Sequence, residues 1–331
     1  MARILGIGFA LNQIVIRNVP SLADFGLAPQ TSTLVGIEAL NDALALAAHL
    51  GLERIDFAGG SAANTLRGLA GLGVGTGLIG KVGGDAEGEA LYNSLRAAGI
   101  SPSLISSVAR TGQSLTLIDT HLQRSTITFL GAAATLNAVD LDAREYTGFD
   151  LLLLEGNTVR NHKLMNRAIH IARDAQLKVV LDLGNYAIID ANREFLHREI
   201  PGRVDVLLAN EVEARAFTGQ NPTKALRELA AACPIVAIKL GEEGAMAQRG
   251  DEFAHVPIRR IAQADTTGGG DLFAAGFLYG LCHEATLEAS LRLGNHLASE
   301  VLQCFGAHIP PEKWPELLRI AEDTVGSCAV R

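Results

Sequence analysis

Cysteine is scarce. Cys233, Cys282, Cys304 and Cys328 are the only four in 331 residues, and no two stand in a C-x-x-C pair. That scatter argues against a disulfide framework or a thiolate metal site and leaves free thiols in a reducing compartment as the expectation. Blocks of Lys or Arg are also missing, and the formal net charge is −8. A phosphate backbone demands clustered cations, so a nucleic-acid partner is not expected. No stretch reaches the roughly 18 apolar residues that a membrane helix needs. The opening run "MARILGIGFALNQIVIRN" is interrupted by Gly6, Gly8, Asn12 and Gln13, and no small-residue cleavage site follows. It reads as a first strand rather than a signal peptide. Neither repeat, low-complexity tract nor long linker divides the chain. The expectation is a soluble cytoplasmic protein that meets small molecules rather than nucleic acid or membrane.

Several catalytic motifs are present only in fragments. "GTGLIGKV" (75–82) nearly spells the phosphate-binding loop G-x-x-x-x-G-K-[ST], but Val82 has no hydroxyl for Mg²⁺, and the segment itself reads as a strand. "GIGFAL" supplies G-x-G, but Leu11 occupies the third glycine position of the dinucleotide fingerprint. An NAD-dependent oxidoreductase is therefore disfavoured. "HEATL" lacks the second His of a zinc motif, so His283 and Glu284 are expected on a turn.

What is present is a regular alternation. Hydrophobic residues make up 48% of the chain, enough for one large core. "DLLLLEG", "LKVVLDLG", "VDVLLANE" and "PIVAIKLG" are unbroken apolar runs of strand length, as in a parallel sheet covered on both faces. Helical patterns such as "KLMNRAIHIARDAQ" separate them, and "SAANTLRGLAGLG" and "DAEGEALYNSLRAAG" read as earlier helices. "NQIVIRNV" and "TGQSLTLIDTHLQRSTITFLG" instead alternate polar and apolar residues, with a turn near 121–123. They are expected to be exposed antiparallel strands. The predicted architecture is one domain over 1–331: an α/β core with a central, mostly parallel sheet flanked by helices. A small β lid is expected from two separated segments, about 12–36 and 102–131.

The densest chemistry lies in "DTTGGGDLFAAGFLYGL", where Gly268, Gly269 and Gly270 precede Asp271 and an apolar helical run. Helix-start N–H groups attract anions, and glycines let a phosphate approach the backbone closely. Asp271 at that position could take a proton from a hydroxyl while the amides hold charge on a transferring phosphoryl group. A plain N-capping Asp after a flexible turn is the competing reading.

This stretch resembles the C-terminal signature of the ribokinase-like (PfkB) carbohydrate kinases, D-[ST]-x-G-A-G-D. "FAGGSAANTLRGLAGLG" resembles their N-terminal glycine signature, "ANEVEARAFTG" their N-x-x-E segment, and "IKLGEEGAMAQRGDE" their nucleotide-side strand pair. "QRSTITFLGAAATL" is most similar to the bacterial adenosine-kinase-like branch. The resemblance runs through essentially the whole chain. It implies transfer of phosphoryl from ATP·Mg²⁺ to a hydroxyl of a sugar or nucleoside. It further implies that Asp271 is the base and that the amides of Gly268, Gly269, Gly270 and Asp271 form the anion hole. Asn210 and Glu213 match the N-x-x-E residues, with Glu213 acting on Mg²⁺ through water. Lys239, Gly241, Gly244 and Asn295 fall on the nucleotide side. Gly59, Gly60 and Asn64 match the acceptor site, and Arg124 would reach from the lid toward the transferring phosphate. A homodimer through the lid and activation by a monovalent cation are compatible with the resemblance.

Three positions depart from the family pattern. Phe9 and Gln13 stand where G-N-x-x-x-D carries its Asn and Asp. An amide can bond a hydroxyl but offers no charged bidentate acceptor, so Gln13 points to an altered substrate. Gly269 replaces Ala, which is expected to loosen the loop without removing an amide. A kinase-like sensor that binds nucleotide or sugar without turnover is the alternative, and Asp271 with the complete N-x-x-E argues against it.

Overall fold

The structure, a computed structural model, describes residues 2–258 and 265–326; Cys328 lies outside them. A nine-stranded sheet contains β1 Arg3–Ile7, β5 Gly75–Gly83, β6 Ile100–Ser107, β9 Leu151–Glu155, β10 Lys178–Asp182, β11 Val206–Asn210, β12 Ile235–Lys239, β13 Ala245–Arg249 and β14 Glu252–Val256. A five-stranded sheet contains β2 Leu11–Val19, β3 Ser32–Leu34, β4 Arg54–Gly59, β7 Gly112–Asp119 and β8 Arg124–Phe129. The helices are α1 Ile37–His49, α2 Ser61–Gly71, α3 Ala86–Ala97, α4 His162–Asp174, α5 Tyr186–Ala191 and α6 Arg193–Glu199. They continue as α7 Glu211–Thr218, α8 Pro222–Ala232, α9 Gly269–Cys282, α10 Leu287–Leu302 and α11 Trp314–Gly326. No helix among the described residues is long and apolar enough to cross a membrane.

The large sheet runs in the order β6-β5-β1-β9-β10-β11-β12-β13-β14. It is parallel from β6 to β12 and antiparallel over the last two strands. The apolar runs build two cores because successive side chains leave a strand on opposite faces. Ile4, Leu151 and Leu153 join α2 and α9 on one face, and Leu5, Ile7, Leu152 and Leu154 join α4 on the other. Each fully buried Leu or Ile adds about 1.5–3 kcal/mol, and cutting one such as Leu153 to Ala would cost about 2–5 kcal/mol.

The small sheet runs β3-β8-β7-β2-β4. One face, with Ile14, Ile16, Leu115, Leu117 and Ile127, packs on Leu40, Ala43 and Ala47 of α1. The opposite face is hydroxyl-rich: Ser114 pairs with Thr128 and Thr116 with Thr126, each at 3.0 Å. Three details differ from the sequence expectation. β2 and β7 are parallel, as are β3 and β8, because intervening helices carry the chain back before each pairing. β7 is buried along its whole length, since α1 covers one of its faces. Residues 102–107 belong to β6 at the edge of the large sheet, and β4 joins the small one. The expected turn at 121–123 does separate β7 from β8.

Candidate active site

Parallel strands end where their helices begin, so chemistry gathers at the carboxyl edge of the sheet. Four neighbouring strands, β9, β10, β11 and β12, end in Glu155, Asp182, Asn210 and Lys239. The N-terminus of α9 faces this row across a cleft of about 820 Å³, lined among others by Ser61, Asp182, Asn210, Lys239, Gly270 and Asp271.

The start of α9 is dictated locally. Gly268 caps the helix at φ 79°, and a Cβ there would lie 2.4 Å from the Ala307 methyl. Both facts demand glycine. A methyl on Gly269 would stand 3.1 Å from Leu302 Cδ2. Leu302 thus occupies the room the missing methyl leaves, and the looser loop expected from that departure is not what the packing shows. Beyond Asp271, α9 is buried from Leu272 through Gly280. The core therefore fixes the direction in which its first amides point.

Asp271 is held from α2. Ser61 Oγ donates to its Oδ1 at 2.7 Å and Asn64 Nδ2 to its Oδ2 at 2.8 Å. Burial pushes the Asp271 carboxyl up to about 6, although both hydrogen bonds and Lys239 favour its charged form. Lys239 Nζ sits 3.2 Å from each oxygen of Asp182 and 3.4 Å from where a Gly270 side chain would begin. Burial works against its charge, but Asp182 and Glu213 outweigh that and raise it above the usual lysine value. Asn210 and Glu213 form a reciprocal capping box at α7. Asn210 N and Nδ2 donate to the Glu213 carboxylate, and Glu213 N donates to Asn210 Oδ1, each at 2.8 Å. Burial raises the Glu213 carboxyl.

The remaining positions expected on the nucleotide side, Gly241, Gly244 and Asn295, line the cleft. Gly244 has φ 89°, and a Cβ there would strike Val256 O at 2.1 Å. Gly241 lies beside it, and Asn295 donates to that same Val256 oxygen at 2.9 Å. Among the described residues no three His, Cys, Asp or Glu side chains form a closed metal cage. Asp182, Asn210 and Glu213 do place oxygen donors on one rim of the cleft. That donor set suits Mg²⁺, which keeps waters and phosphate oxygens around itself.

The acceptor-side positions are built differently. Gly60, at φ 104°, has Phe9 O only 1.8 Å from where a Cβ would stand. Gln13 lies across Gly59, where a Cβ would meet its Cγ at 2.2 Å, and its Oε1 is buried without a hydrogen-bond partner. Gln13 does not line the cleft. Arg124 comes in from β8, and its Nη1 donates to Asp265 Oδ1 at 3.0 Å and Thr267 Oγ1 at 2.6 Å. Asp265 also accepts from Thr267 N and Gly306 N, each at 2.9 Å, so it braces the loop. "GTGLIGKV" lies within β5, with Lys81 paired to Asp140 at 2.8 Å and away from the cleft.

Three site residues escaped the sequence reading: Ser61, Asp182 and Glu155. Ser61 stands directly after the glycine pair and could have been suspected. Glu155 accepts from Phe9 N at 2.9 Å and Ala62 N at 3.0 Å, tying β1's exit to the start of α2. Burial pushes its carboxyl up to about 7. Gly8 is glycine for this reason, since a Cβ there would lie 2.4 Å from Glu155 Oε2. The first G-x-G thus serves a crossing of chains.

A family model described as pfkB family carbohydrate kinase matches residues 51–314. A protein of Archaeoglobus fulgidus described as an uncharacterized sugar kinase is 29% identical over 72% of this chain and 96% of its own length. The adenosine kinase of Saccharomyces cerevisiae is 30% identical over 77% of this chain and 81% of its own. The crystal structure of adenosine kinase from Sinorhizobium meliloti superposes with a TM-score of 0.85 at 29% identity, covering 97% of this chain and 99% of that one.

Proposed function

The chain belongs to the pfkB family of carbohydrate kinases and is an ATP-dependent phosphotransferase, and we propose that it phosphorylates a hydroxyl of a sugar or nucleoside with Asp271 as base. The observation that carries this reading is the placement of the Asp271 carboxylate. It stands in the first turn of α9, beside the amides of Gly268, Gly269 and Gly270, in one cleft with Lys239.

The division of labour follows from the chemistry. Asp271 accepts the proton as the acceptor oxygen attacks. The α9 amides and the Lys239 ammonium stabilise charge on the phosphoryl group in flight. Mg²⁺ supplies charge neutralisation on the phosphates when bound, and Asp182, Asn210 and Glu213 would hold it through water. Gly241, Gly244 and Asn295 would receive the nucleoside part of ATP. Gly59, Gly60 and Asn64 would face the acceptor, with Gln13 packed across Gly59 shaping that wall from outside the cleft and Arg124 reaching over from a small sheet that acts as lid. Glu155 keeps α2 in place, so that Ser61 and Asn64 meet the base. Cys233 is buried and Cys282 half-buried, both as free thiols, and the setting we propose for them is a reducing cytoplasm.

The test is an ADP-release screen across adenosine and other nucleosides, ribose, fructose and ketogluconate-type sugars, with Asp271→Asn as the blank. Removing a general base is expected to lower kcat by about 10²–10⁴, with ATP binding retained. Transfer at the parental rate in Asp271→Asn would end the assignment.

A further inference from the structure

We propose that Ser61 is itself a phosphoryl acceptor: without a bound sugar or nucleoside, the kinase transfers phosphoryl from ATP to Ser61 Oγ and so closes its own acceptor site. This rests on the reading of Asp271 as the base.

An acceptor hydroxyl must lie about 2.6–3.2 Å from that base. Ser61 Oγ already does, donating to Asp271 Oδ1 at 2.7 Å. The Ser61 hydroxyl therefore already keeps the distance from the base that an acceptor oxygen has to reach. Ser61 is only partly buried and lines the same cleft as Lys239, Asn210 and Gly270, so it opens onto the donor side. Asn64 engages the other oxygen of Asp271. An incoming acceptor consequently competes with Ser61 for Oδ1.

The product would also be well lodged. Ser61 is the first residue of α2, whose first turn carries no acidic side chain, and Asp271 lies in the first turn of α9. A phosphate on Ser61 would sit by the starts of α2 and α9 with Lys239 in the same cleft, which favour an anion, while Asp271 beside it and Glu155, bound to Ala62 N, work against it. The step balances without further reagents. The bond from Ser61 Oγ to the γ-phosphorus forms, and the bond from that phosphorus to the β–γ bridging oxygen breaks. ADP leaves, and the Oγ proton passes to Asp271 and then to solvent. The modification would block Asp271 from any acceptor.

The experiment incubates the intact chain with ATP and Mg²⁺ and follows whole-protein mass, peptide mapping and residual kinase activity. Adenosine and ribose serve as acceptor probes. The expected result is a gain of about 80 Da that maps to Ser61 and rises toward one phosphate per chain. Activity should fall in the same proportion. A turned-over acceptor should slow the labelling, and Asp271→Asn should abolish it. Reading the unmutated chain keeps the outcome independent of how a Ser61 variant folds. Acceptor phosphorylation with no phosphate on Ser61 overturns this inference and leaves the kinase reading intact. Ser61 labelling that persists in Asp271→Asn overturns it as well. Asp271→Asn with undiminished acceptor turnover would instead sink the assignment of the base.

Discussion

On the phosphate side of the cleft the charged groups are already partnered. Lys239 bonds both oxygens of Asp182, Glu213 is locked to Asn210, and Asp265 accepts from Arg124, Thr267 and Gly306. Around the small sheet and α2 the opposite holds. Gln13 Oε1, Arg17 Nε, Asn64 Oδ1 and Arg67 Nη1 are buried without a hydrogen-bond partner among the described residues. A buried polar atom left unmade costs about 1–3 kcal/mol. The first wall is therefore complete by itself and suits a donor that is always the same. The second keeps unspent hydrogen-bonding capacity at buried atoms, and it is the side on which the proposed acceptor would be selected.

The contrast can be broken from either side. Lys239→Met should have the largest effect after Asp271→Asn. It strands Asp182, which is 5% exposed, and breaking a buried pair costs about 3–5 kcal/mol. Chemical denaturation should register that loss, and KM for ATP should rise. Parental stability would show that the pair is not a structural unit.

Acidification separates the walls next. Asp271 must be ionised to accept a proton, so kcat/KM should fall about tenfold per unit below its value of about 6. The fold should not fail in parallel. Asp271 and Glu155 are raised from 3.8 and 4.5 to about 6 and about 7. Their contribution to stability is thus fully present below the unfolded values and is lost as pH rises through the folded ones. Activity falling between pH 7 and 5 with a circular-dichroism melt that holds or rises is the expected pattern. A melt that collapses over that range would assign the loss to unfolding.

Gln13→Ala should be milder and confined to the acceptor. KM for the acceptor should shift severalfold while KM for ATP stays put, measured with the substrate that the screen selects. An unchanged acceptor ranking would remove Gln13 from the specificity wall. Gly269→Ala should do least. Its methyl meets one leucine terminus at 3.1 Å, a strain that a small Leu302 shift relieves for under about 1.5 kcal/mol. A tenfold loss of kcat would mean that the amide cradle depends on that position more than its packing suggests.

The sequence was legible where physics is local. Unbroken apolar runs marked β9 to β12 because strands buried on both faces need them. "GGGD" before an apolar run marked the start of α9 because only glycine takes Gly268's φ and tolerates Ala307 alongside. The small sheet was harder to read. Alternation revealed that strands exist there, but parallel and antiparallel pairings leave the same period-two pattern. β4 escaped because its partner β2 lies beyond a turn, a short strand and α1.

Read alone, then, the chain determined the order of its elements, the glycines at Gly60 and Gly268, and the candidate base at Asp271. Tertiary structure alone decided what the base touches. Ser61 and Asn64 lie 210 and 207 positions from Asp271, and Glu155 lies 146 from Phe9. Such meetings leave no local pattern, because they depend on how the crossovers stack α2 on α9 rather than on the neighbours of either residue. The same stacking placed a serine hydroxyl on the candidate base, which no spacing in the sequence announces.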